Sequence, residues 1–468
     1  MVSAPVADKQ ATGTPGPEPQ PRRHLVFALV SLALFMASID QTIVATALPT
    51  LQKDLHAQVN WSAWTITIYS LGQVVAMPLA GKISDLYGRK RVFLFSVALF
   101  TAASLGCSAV DNVYLLVALR AVQAIGGGAF MPSATGIVAD QFGRDRDRAV
   151  GMFASIFPIG GVIGPILGGV FVTYWSWRGI FLINVPIGIA LVVLGAALIP
   201  ASPRRPSTRL DPYGVALLAV LLLAAMLGIT NLGGGTTSPA SAAFLAPELV
   251  AVVAGVLFVR HAARAEAPFI PIVLLKGTGF GTMNLFNFLV GAAALGFGAL
   301  VPLYAENRYG ITTLAAGTLL TARAIGMMAV AALAVIALRR TGYRKPMIIG
   351  SLVIALGLTT MALIPNGALS YWGLSLGAAI TGLGMGFSVP ATNNAVLNMA
   401  PEQTAAITGL RGMFRQGGAI TGVSITTAIL ARSGDPGIAQ AWTFGVFAVL
   451  MLCTIPLVFL VPDHRGSW

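Results

Sequence analysis

Acidic residues are scarce in this chain: 16 Asp and Glu stand against 29 Lys and Arg in 468 residues, and only Asp40 falls well inside an apolar run. Glu306 sits at the edge of another run. Histidine is rarer still, with four copies (His24, His56, His261 and His464) at the ends of apolar runs or in connections. There is no HExxH, no carboxylate pair within a run and no nucleophile–base cluster, so the reading as a membrane-embedded enzyme lacks its chemistry. No GxxxxGK[ST] loop occurs either, and nothing here would hold ATP. Cys107 and Cys453 both lie in apolar runs as small hydrophobes. Two such cysteines make neither a disulfide framework nor a metal site, and no cofactor is expected.

What the chain has in quantity is apolar length. It is 56% hydrophobic and only 10% charged, with a mean hydropathy of +0.81, more apolar surface than a water-soluble fold could cover. Fourteen apolar runs recur, roughly 25–48, 61–80, 92–110, 113–138, 149–172, 179–199, 213–231, 246–260, 278–303, 313–338, 346–364, 370–398, 409–430 and 441–461. Each is near the ~20 residues that span a bilayer. Lipid offers no partner to a backbone polar group, so these runs read as transmembrane helices.

The basic residues are unevenly placed. Arg22 and Arg23, Arg89 to Arg91, Arg144 to Arg148, Arg204 to Arg209 and Arg339 to Lys345 all fall at the N-terminus or in even-to-odd connections. By the positive-inside rule both termini are then cytoplasmic. The net charge of +13 reports orientation in the lipid bilayer, not nucleic-acid binding. Trp61, Trp64, Trp175, Trp177, Trp372 and Trp442 fall at the opposite boundary, where an interfacial aromatic belt is expected. Residues 1–23, rich in Pro, Gly and polar residues, read as a disordered cytoplasmic tail.

The chain also repeats itself. Gly151, Gly160 and Gly164 match Gly409, Gly418 and Gly422 at one constant offset, and Gly126, Gly128 and Pro132 match Gly384, Gly386 and Pro390 at the same offset. Further upstream the offset shortens slightly, pairing Gly72 with Gly326 and Gly88 with Gly342. A membrane chain that repeats its small-residue pattern in two halves reads as a two-bundle transporter with its site between the halves. Six runs fill less sequence than separates the copies, so the seventh and eighth form a hairpin between the bundles. The domains are then a six-helix bundle at 24–200, a connector with this hairpin at 201–276, and a second six-helix bundle at 277–468. The Pro- and Arg-rich segment 200–212 leads into the hairpin, which is expected to flank the core and add little to the site.

Four motifs carry a resemblance. The connection after the second run reads GKISDLYGRKR, Gly81 to Arg91; its glycines would allow a tight turn, and Asp85 could cap or pair across a seam. The fifth run carries GGVIGPILGG, Gly160 to Gly169, where Gly164, Gly168 and their neighbours strip side chains from one face and Pro165 permits a bend. Close packing alone would call for the same glycines. The first run contains SIDQTIVATALP, Ser38 to Pro49, and the sixth opens with WRGIFLINVPIG, Trp177 to Gly188. Taken in their order along the chain, the motifs resemble the major facilitator superfamily, and within it the fourteen-helix drug:proton antiporters, over residues 25–430. The pattern departs from the family at Ala45 and Thr46, and Arg339 stands where the second copy would align with Asp85.

The resemblance implies an all-α integral membrane fold of fourteen helices. It implies an exporter in the bacterial plasma membrane that moves a small organic substrate against protons by alternating access, functional as a monomer. An uptake carrier or facilitator of the same fold is the alternative. Asp85 and Arg89, with Gly81 and Gly88, would form a charge network closing the cytoplasmic gate. Gly160, Gly164, Pro165, Gly168 and Gly169 would form the antiporter helix, and Arg120 would assist proton transfer.

A charge in hydrocarbon costs about 2.5–3.5 kcal/mol on insertion scales, so Asp40 is expected to face the cavity and to carry a proton or touch substrate. A structural Asp paired to a neighbouring helix would satisfy the same position. Gln123, one turn after Arg120, shares its face. Tyr69, Asn284, Asn287, Arg323, Asn393, Asn394 and Arg415 complete the expected substrate cavity, with Arg411 snorkelling to the cytoplasmic boundary. One acid among several cations suits neutral, zwitterionic or weakly anionic substrates at least as well as lipophilic cations.

Overall fold

The computed structural model describes residues 23–461 except 58, 202–210, 234–237, 267, 277–278, 297, 299 and 400–403. The expected tail, apart from Arg23, and most of the 200–212 connector lie outside the described residues. Among the described residues the secondary structure is helical, grouped in fourteen rods with one short helix, Ile272–Lys276, between the eighth and the ninth. The first half holds α1 (Arg23–Asp54), α2 (Val59–Tyr87), α3 (Arg89–Ala109), α4 (Val113–Phe142), α5 (Arg146–Ala154 and Ile156–Tyr174) and α6 (Gly179–Leu182 and Asn184–Leu198). Next come α7 (Pro212–Gly233) and α8 (Ala242–Arg264). The second half holds α9 (Phe280–Val290, a π-turn at Gly291–Gly296, then Val301–Tyr309), α10 (Thr313–Thr341), α11 (Arg344–Leu363), α12 (Ser370–Met399), α13 (Thr404–Leu430) and α14 (Pro436–Cys453 and Ile455–Val458).

Eleven of the described helices are long and apolar enough to cross a membrane: α1 to α8, α11, α12 and α14. Shorter apolar stretches, Phe280–Ala294 and Ala315–Ala331, lie in α9 and α10. The expectation of fourteen spans is thus met for eleven. The other three rods are α9, which contains the π-turn, α10, which contains Arg323, and α13, which contains Arg411 and Arg415.

Turn chemistry sets the rod ends. Asn112 caps α4, accepting the Tyr114 N–H at 2.8 Å, and Asp435 caps α14, accepting the Ile438 N–H at 2.9 Å. Gly88 and Gly342 have φ of 97° and 69°, a backbone region closed to most side chains. Gly81, expected in the same turn, instead lies buried inside α2. Its place in the motif is a packing position.

Contacts sort the rod ends onto two faces. On one, the start of α1 meets the end of α4 through His24 and Phe142, Lys90 reaches the Ala196 carbonyl at 2.7 Å, and Arg344 reaches the Val461 carbonyl at 2.7 Å. Both ends of the described chain lie here, so it is the terminal face. On the opposite face Trp177 donates to Asp54 at 3.0 Å, Tyr309 donates to the Ile364 carbonyl at 2.8 Å, and Trp61 packs on Tyr114. Trp175, Trp372 and Trp442 are exposed near this face, as a belt requires. Trp177 is fully buried beneath the exposed Asp54, whose carboxylate accepts its N–H. Cys107 is buried, whereas Cys453 faces outward.

The two halves pack alike. A Cβ on Gly126 would lie 2.7 Å from the Ser96 carbonyl of α3, and one on Gly384 2.7 Å from the Gly350 carbonyl of α11. Gly128 abuts Ala76 and Gln73 of α2 as Gly386 abuts Met327 of α10. Gly160 and Gly164 lie against Ser38 and Thr42 of α1, and Gly418 and Gly422 against Phe288 and Ala292 of α9. Matched glycines therefore mark matched helix crossings, where missing side chains let backbones touch. The halves join mainly through α2 against α13, with Gly409 and Gly412 pressed on Met77. Seated on that seam, α7 and α8 bury a cluster containing Val74 of α2, Leu218 and Phe258 of the hairpin, and Leu410 and Met413 of α13.

Adding a side chain at either of two matched crossings should be comparably disruptive. Gly126→Val and Gly384→Val are each expected to cost about 1–3 kcal/mol through overpacking. Thermal unfolding of the detergent-purified protein reads this directly. Wild-type unfolding temperatures for both variants would mean that the helices do not meet at these points.

Candidate functional site

The rotation of α1 about its own axis decides what each of its residues faces. Successive residues of an α-helix point about 100° apart, so neighbours in sequence can face different surroundings. Asp40 is fully buried and faces the interior of the first bundle. Its Oδ2 accepts from Arg120 Nη1 at 2.6 Å, and its Oδ1 accepts from Gln123 Nε2 and Asn184 Nδ2, each at 3.0 Å. Gln123 also accepts from Arg120 Nη1 at 2.7 Å. Both amides donate to Ser104 Oγ, at 3.1 and 3.0 Å, and Ser104 donates to the Phe181 carbonyl at 3.0 Å. Arg120 Nε reaches the Thr65 carbonyl at 3.2 Å, with the Tyr69 ring 4.0 Å from the guanidinium carbon. Residues from α1, α2, α3, α4 and α6 thus enclose one ion pair with its hydrogen bonds made.

The expectation that Asp40 faces the cavity is corrected by this geometry. The alternative reading, pairing to a neighbouring helix, describes its placement. Tyr69 and Gln123, expected on the cavity wall, belong to the same sealed cluster. Polar side chains at mid-helix depth had two interiors available, the bundle core and the space between bundles, and Arg120 draws these two to the core.

The neighbours of Asp40 on α1 turn the other way. Ser38, Gln41 and Thr42 face a central chamber between the halves, with lobes of about 220 and 570 Å³ that share Thr42, Phe157, Arg323 and Gln416. Gly161 and Phe157 of α5, Met327 of α10, Met385 of α12 and Arg415 of α13 line the smaller lobe. The larger extends through Thr67, Val423 and Thr427 toward the face opposite the termini. Thr230 of α7 also reaches this wall, so the hairpin contributes to the chamber as well as flanking it. Along α1, Gly160, Gly164 and Gly168 form a track against Ser38, Thr42 and Thr46. Thr46, one of the two departures from the family motif, meets Gly168 there. Ser38 donates to the Phe157 carbonyl of α5. Gly169 has no neighbour in the direction of a Cβ, and Pro165 lies within the helix Ile156–Tyr174.

Toward the terminal face the halves are joined. Asp85 accepts the Ala406 N–H of α13 at 3.0 Å, across the seam between the halves. Arg89 pairs with Asp85 at 3.4 Å and with Asp140 at 2.6 Å, and donates to the Gly136 carbonyl at 2.5 Å. Arg146 donates to Asn398 at 2.8 Å, a second link between halves, and Asn398 donates to Tyr343. The charge network expected around Asp85 and Arg89 is therefore assembled in space.

The remaining expected cavity residues divide. Arg323 and Arg415 line the chamber. Asn393 accepts from Arg411 and, with it, lines a narrow space on the terminal side of the chamber. Arg411 is 4% exposed, so it is held inside by Asn393 instead of snorkelling outward. Asn284 and Asn287 are buried and donate to the Leu274 and Met283 carbonyls at 2.9 and 2.7 Å, helix-bracing contacts away from the chamber. Asn394 is buried within α12. Ser104, Asn184, Asp140, Asn398 and Gln416 were missed. Asn184 stood inside the quoted sixth-run motif, and Asp140 was an acid at a run end beside a basic loop; the other three carried no local signal. Among the described residues no group of acidic, His and Cys side chains could hold a metal ion.

Comparison with known proteins places this geometry. The sequence profile of the Major Facilitator Superfamily matches residues 30–260 and 283–468. The chain is 29% identical over 419 residues to the multidrug transporter protein MdtP of Bacillus subtilis, covering 89% of this chain and 77% of that one. It is 28% identical over 450 residues to the methylenomycin A resistance protein of the same organism, covering 94% and 95%. In fold it is similar to the human organic anion transporter MFSD10 (TETRAN), with a TM-score of 0.69 at 17% identity over 94% of this chain and 100% of that one.

The sealed ion pair makes a specific demand. Asp40→Asn removes one charge and strands Arg120, which is expected to cost about 3–5 kcal/mol. Asp40→Asn combined with Arg120→Gln should recover most of that loss, since no lone charge remains. Thermal unfolding of both variants checks this. A double variant no more stable than the single one would show that the charges do not act as a pair.

Proposed function

This chain belongs to the major facilitator superfamily, a class of transporters and not of enzymes, and from that premise we propose that it is a proton-coupled exporter of small organic molecules. The observation that carries the reading is the two-faced α1, which presents Asp40 to a sealed ion pair and Gln41 and Thr42 to the chamber. Similarity to multidrug and antibiotic-resistance proteins over most of the chain supports export of drugs or natural products. In this reading the protein sits in a bacterial plasma membrane as a monomer, with fourteen spans and the terminal face cytoplasmic. The structure then corresponds to an outward-facing state, its cytoplasmic side closed by Asp85 on Ala406 and Arg146 on Asn398.

The ion pair supplies the coupling. A proton arriving at Asp40 removes its charge and leaves Arg120 without a counter-ion, which in a dry interior is unfavourable by several kcal/mol. The bundle relieves this by rearranging around α1, the rod on which the chamber lining and the α5 glycine track are both mounted. Small residues along that track let α1 and α5 shift without side-chain collision. Rocking of the halves about the α2–α13 seam then exposes the chamber to the other side. Release of the proton inward restores the pair. Asp85, Gly88 and Arg89 act as the gate, Gly81 packs α2 beneath them, and no ATP is used.

The experiment is flux in proteoliposomes carrying an imposed pH gradient, alongside the drug susceptibility of an expressing strain with and without a protonophore. Outward substrate movement driven by inward protons, abolished by the protonophore, is expected. The Asp40→Asn/Arg120→Gln double variant should fold yet lose at least about 90% of the proton-driven flux, a tenfold change equivalent to about 1.4 kcal/mol. Gradient-driven uptake would instead identify a same-fold uptake carrier, and undiminished flux in the double variant would remove Asp40 from the coupling.

A further inference from the structure

Resting on the exporter reading, we propose that the chamber is a binding site for organic anions, apolar molecules bearing a carboxylate or a similarly delocalised negative charge. Arg323 and Arg415 both line the chamber, and no Asp or Glu contributes to its wall among the described residues. Asp40, adjacent in sequence to the wall residue Gln41, is turned away and already paired to Arg120. The chamber is therefore electrically one-sided.

The guanidinium groups also have capacity to spare. An arginine carries five N–H donors. Arg323 gives Nη1 to the Ala294 carbonyl at 3.2 Å. Arg415 Nη2 meets the thioether sulfur of Met131 at 3.8 Å, a weak acceptor. Neither has an ion-pair partner among the described residues, in contrast with Arg89 and Arg120. Cations withdrawn from water without counter-charges are costly, and a chamber that keeps two of them gains from a ligand that brings the missing charge. The planar fork of a guanidinium matches a carboxylate by two parallel hydrogen bonds.

Arg411 extends the pattern along the transport axis. It lies one turn before Arg415 on α13 and lines the narrow space on the terminal side. That space shares Met131 and Ala154 with the chamber. Arg411, Arg415 and Arg323 thus line adjoining spaces from the closed end into the chamber. The rest of the ligand would rest on Phe157, Met327 and Met385, an aromatic ring and two adaptable thioethers suited to varied apolar bodies. Gln416 and Thr42 add uncharged hydrogen bonding where the two lobes meet.

Two xanthene dyes of similar size and opposite charge separate the possibilities: fluorescein as the anion and rhodamine 6G as the cation. With the full chain in nanodiscs at pH 8, fluorescence polarisation should show fluorescein bound at least about tenfold more tightly than rhodamine 6G. Arg323→Gln and Arg415→Gln should each weaken fluorescein by about tenfold or more without weakening rhodamine 6G, whereas Arg323→Lys, which keeps the charge, should lose less than Arg323→Gln. Wild-type elution on size exclusion qualifies each variant, and the two sites are independent should one fail to fold. Equal or tighter binding of rhodamine 6G overturns the anion site, as does fluorescein binding that is absent or unchanged in both glutamine variants. Proton-driven export of rhodamine 6G with weak fluorescein binding would remove the anion site and leave the exporter reading standing. Fluorescein bound but neither dye moved by a pH gradient would do the reverse.

Discussion

A charge taken out of water into a bundle of apolar helices has to be answered within bonding distance, and this molecule is arranged around that requirement. In the first bundle the answer is internal: Asp40 and Arg120 meet at 2.6 Å, and Gln123, Asn184 and Ser104 complete the hydrogen bonds around them. Five helices contribute to that cluster, so it fixes how each is rotated as well as where it lies. On the terminal face the answer links the halves, with Asp85 shared between Arg89 and the Ala406 N–H. In the chamber Arg323 and Arg415 are left without a carboxylate among the described residues. Paired charges hold the structure together, and unpaired ones stand where a ligand would lie.

Close helix approach makes this arrangement possible. The glycines of α5 bring its backbone against Ser38, Thr42 and Thr46, and those of α13 do the same for α9. A helix held that tightly has a defined rotation, and for α1 the rotation separates Asp40 from Gln41 and Thr42. Chemistry on one side of α1 can therefore act on the chamber at its other side without any residue belonging to both. The α7–α8 hairpin bears on the same machinery, since it packs over the α2–α13 seam and sends Thr230 to the chamber wall.

Much of the site could be read in advance, but unevenly. Asp40 stood out because a charge at membrane depth is expensive and Arg120 because of the family resemblance, and they do form one cluster. Gly88 and Gly342 were found by the repeat, and both adopt positive φ. The facing of polar residues was not legible: Tyr69 and Gln123 joined the bundle core, while Arg411 turned inward to Asn393. Helical periodicity shows a helix's buried face only when the opposite face is polar. In lipid both faces are apolar, so that signal is lost. Ser104 and Asn398 were missed because a small polar side chain in a helix has ordinary reasons to be there, and only its partner gives it a role.

Composition, hydropathy and internal repetition by themselves pointed to a helical membrane protein, and led to the reading of two similar halves with a hairpin between them. They could do so because burial of backbone polar groups and close packing at glycines are demands that each segment meets within its own sequence or against its copy. The tertiary structure alone decided which interior each polar group faces, that Asp40 is sealed instead of open to the chamber, and that Arg323 and Arg415 share a wall without an acid. Those outcomes depend on the rotation of one helix against four or five others, a property of the assembled bundle that no single segment encodes.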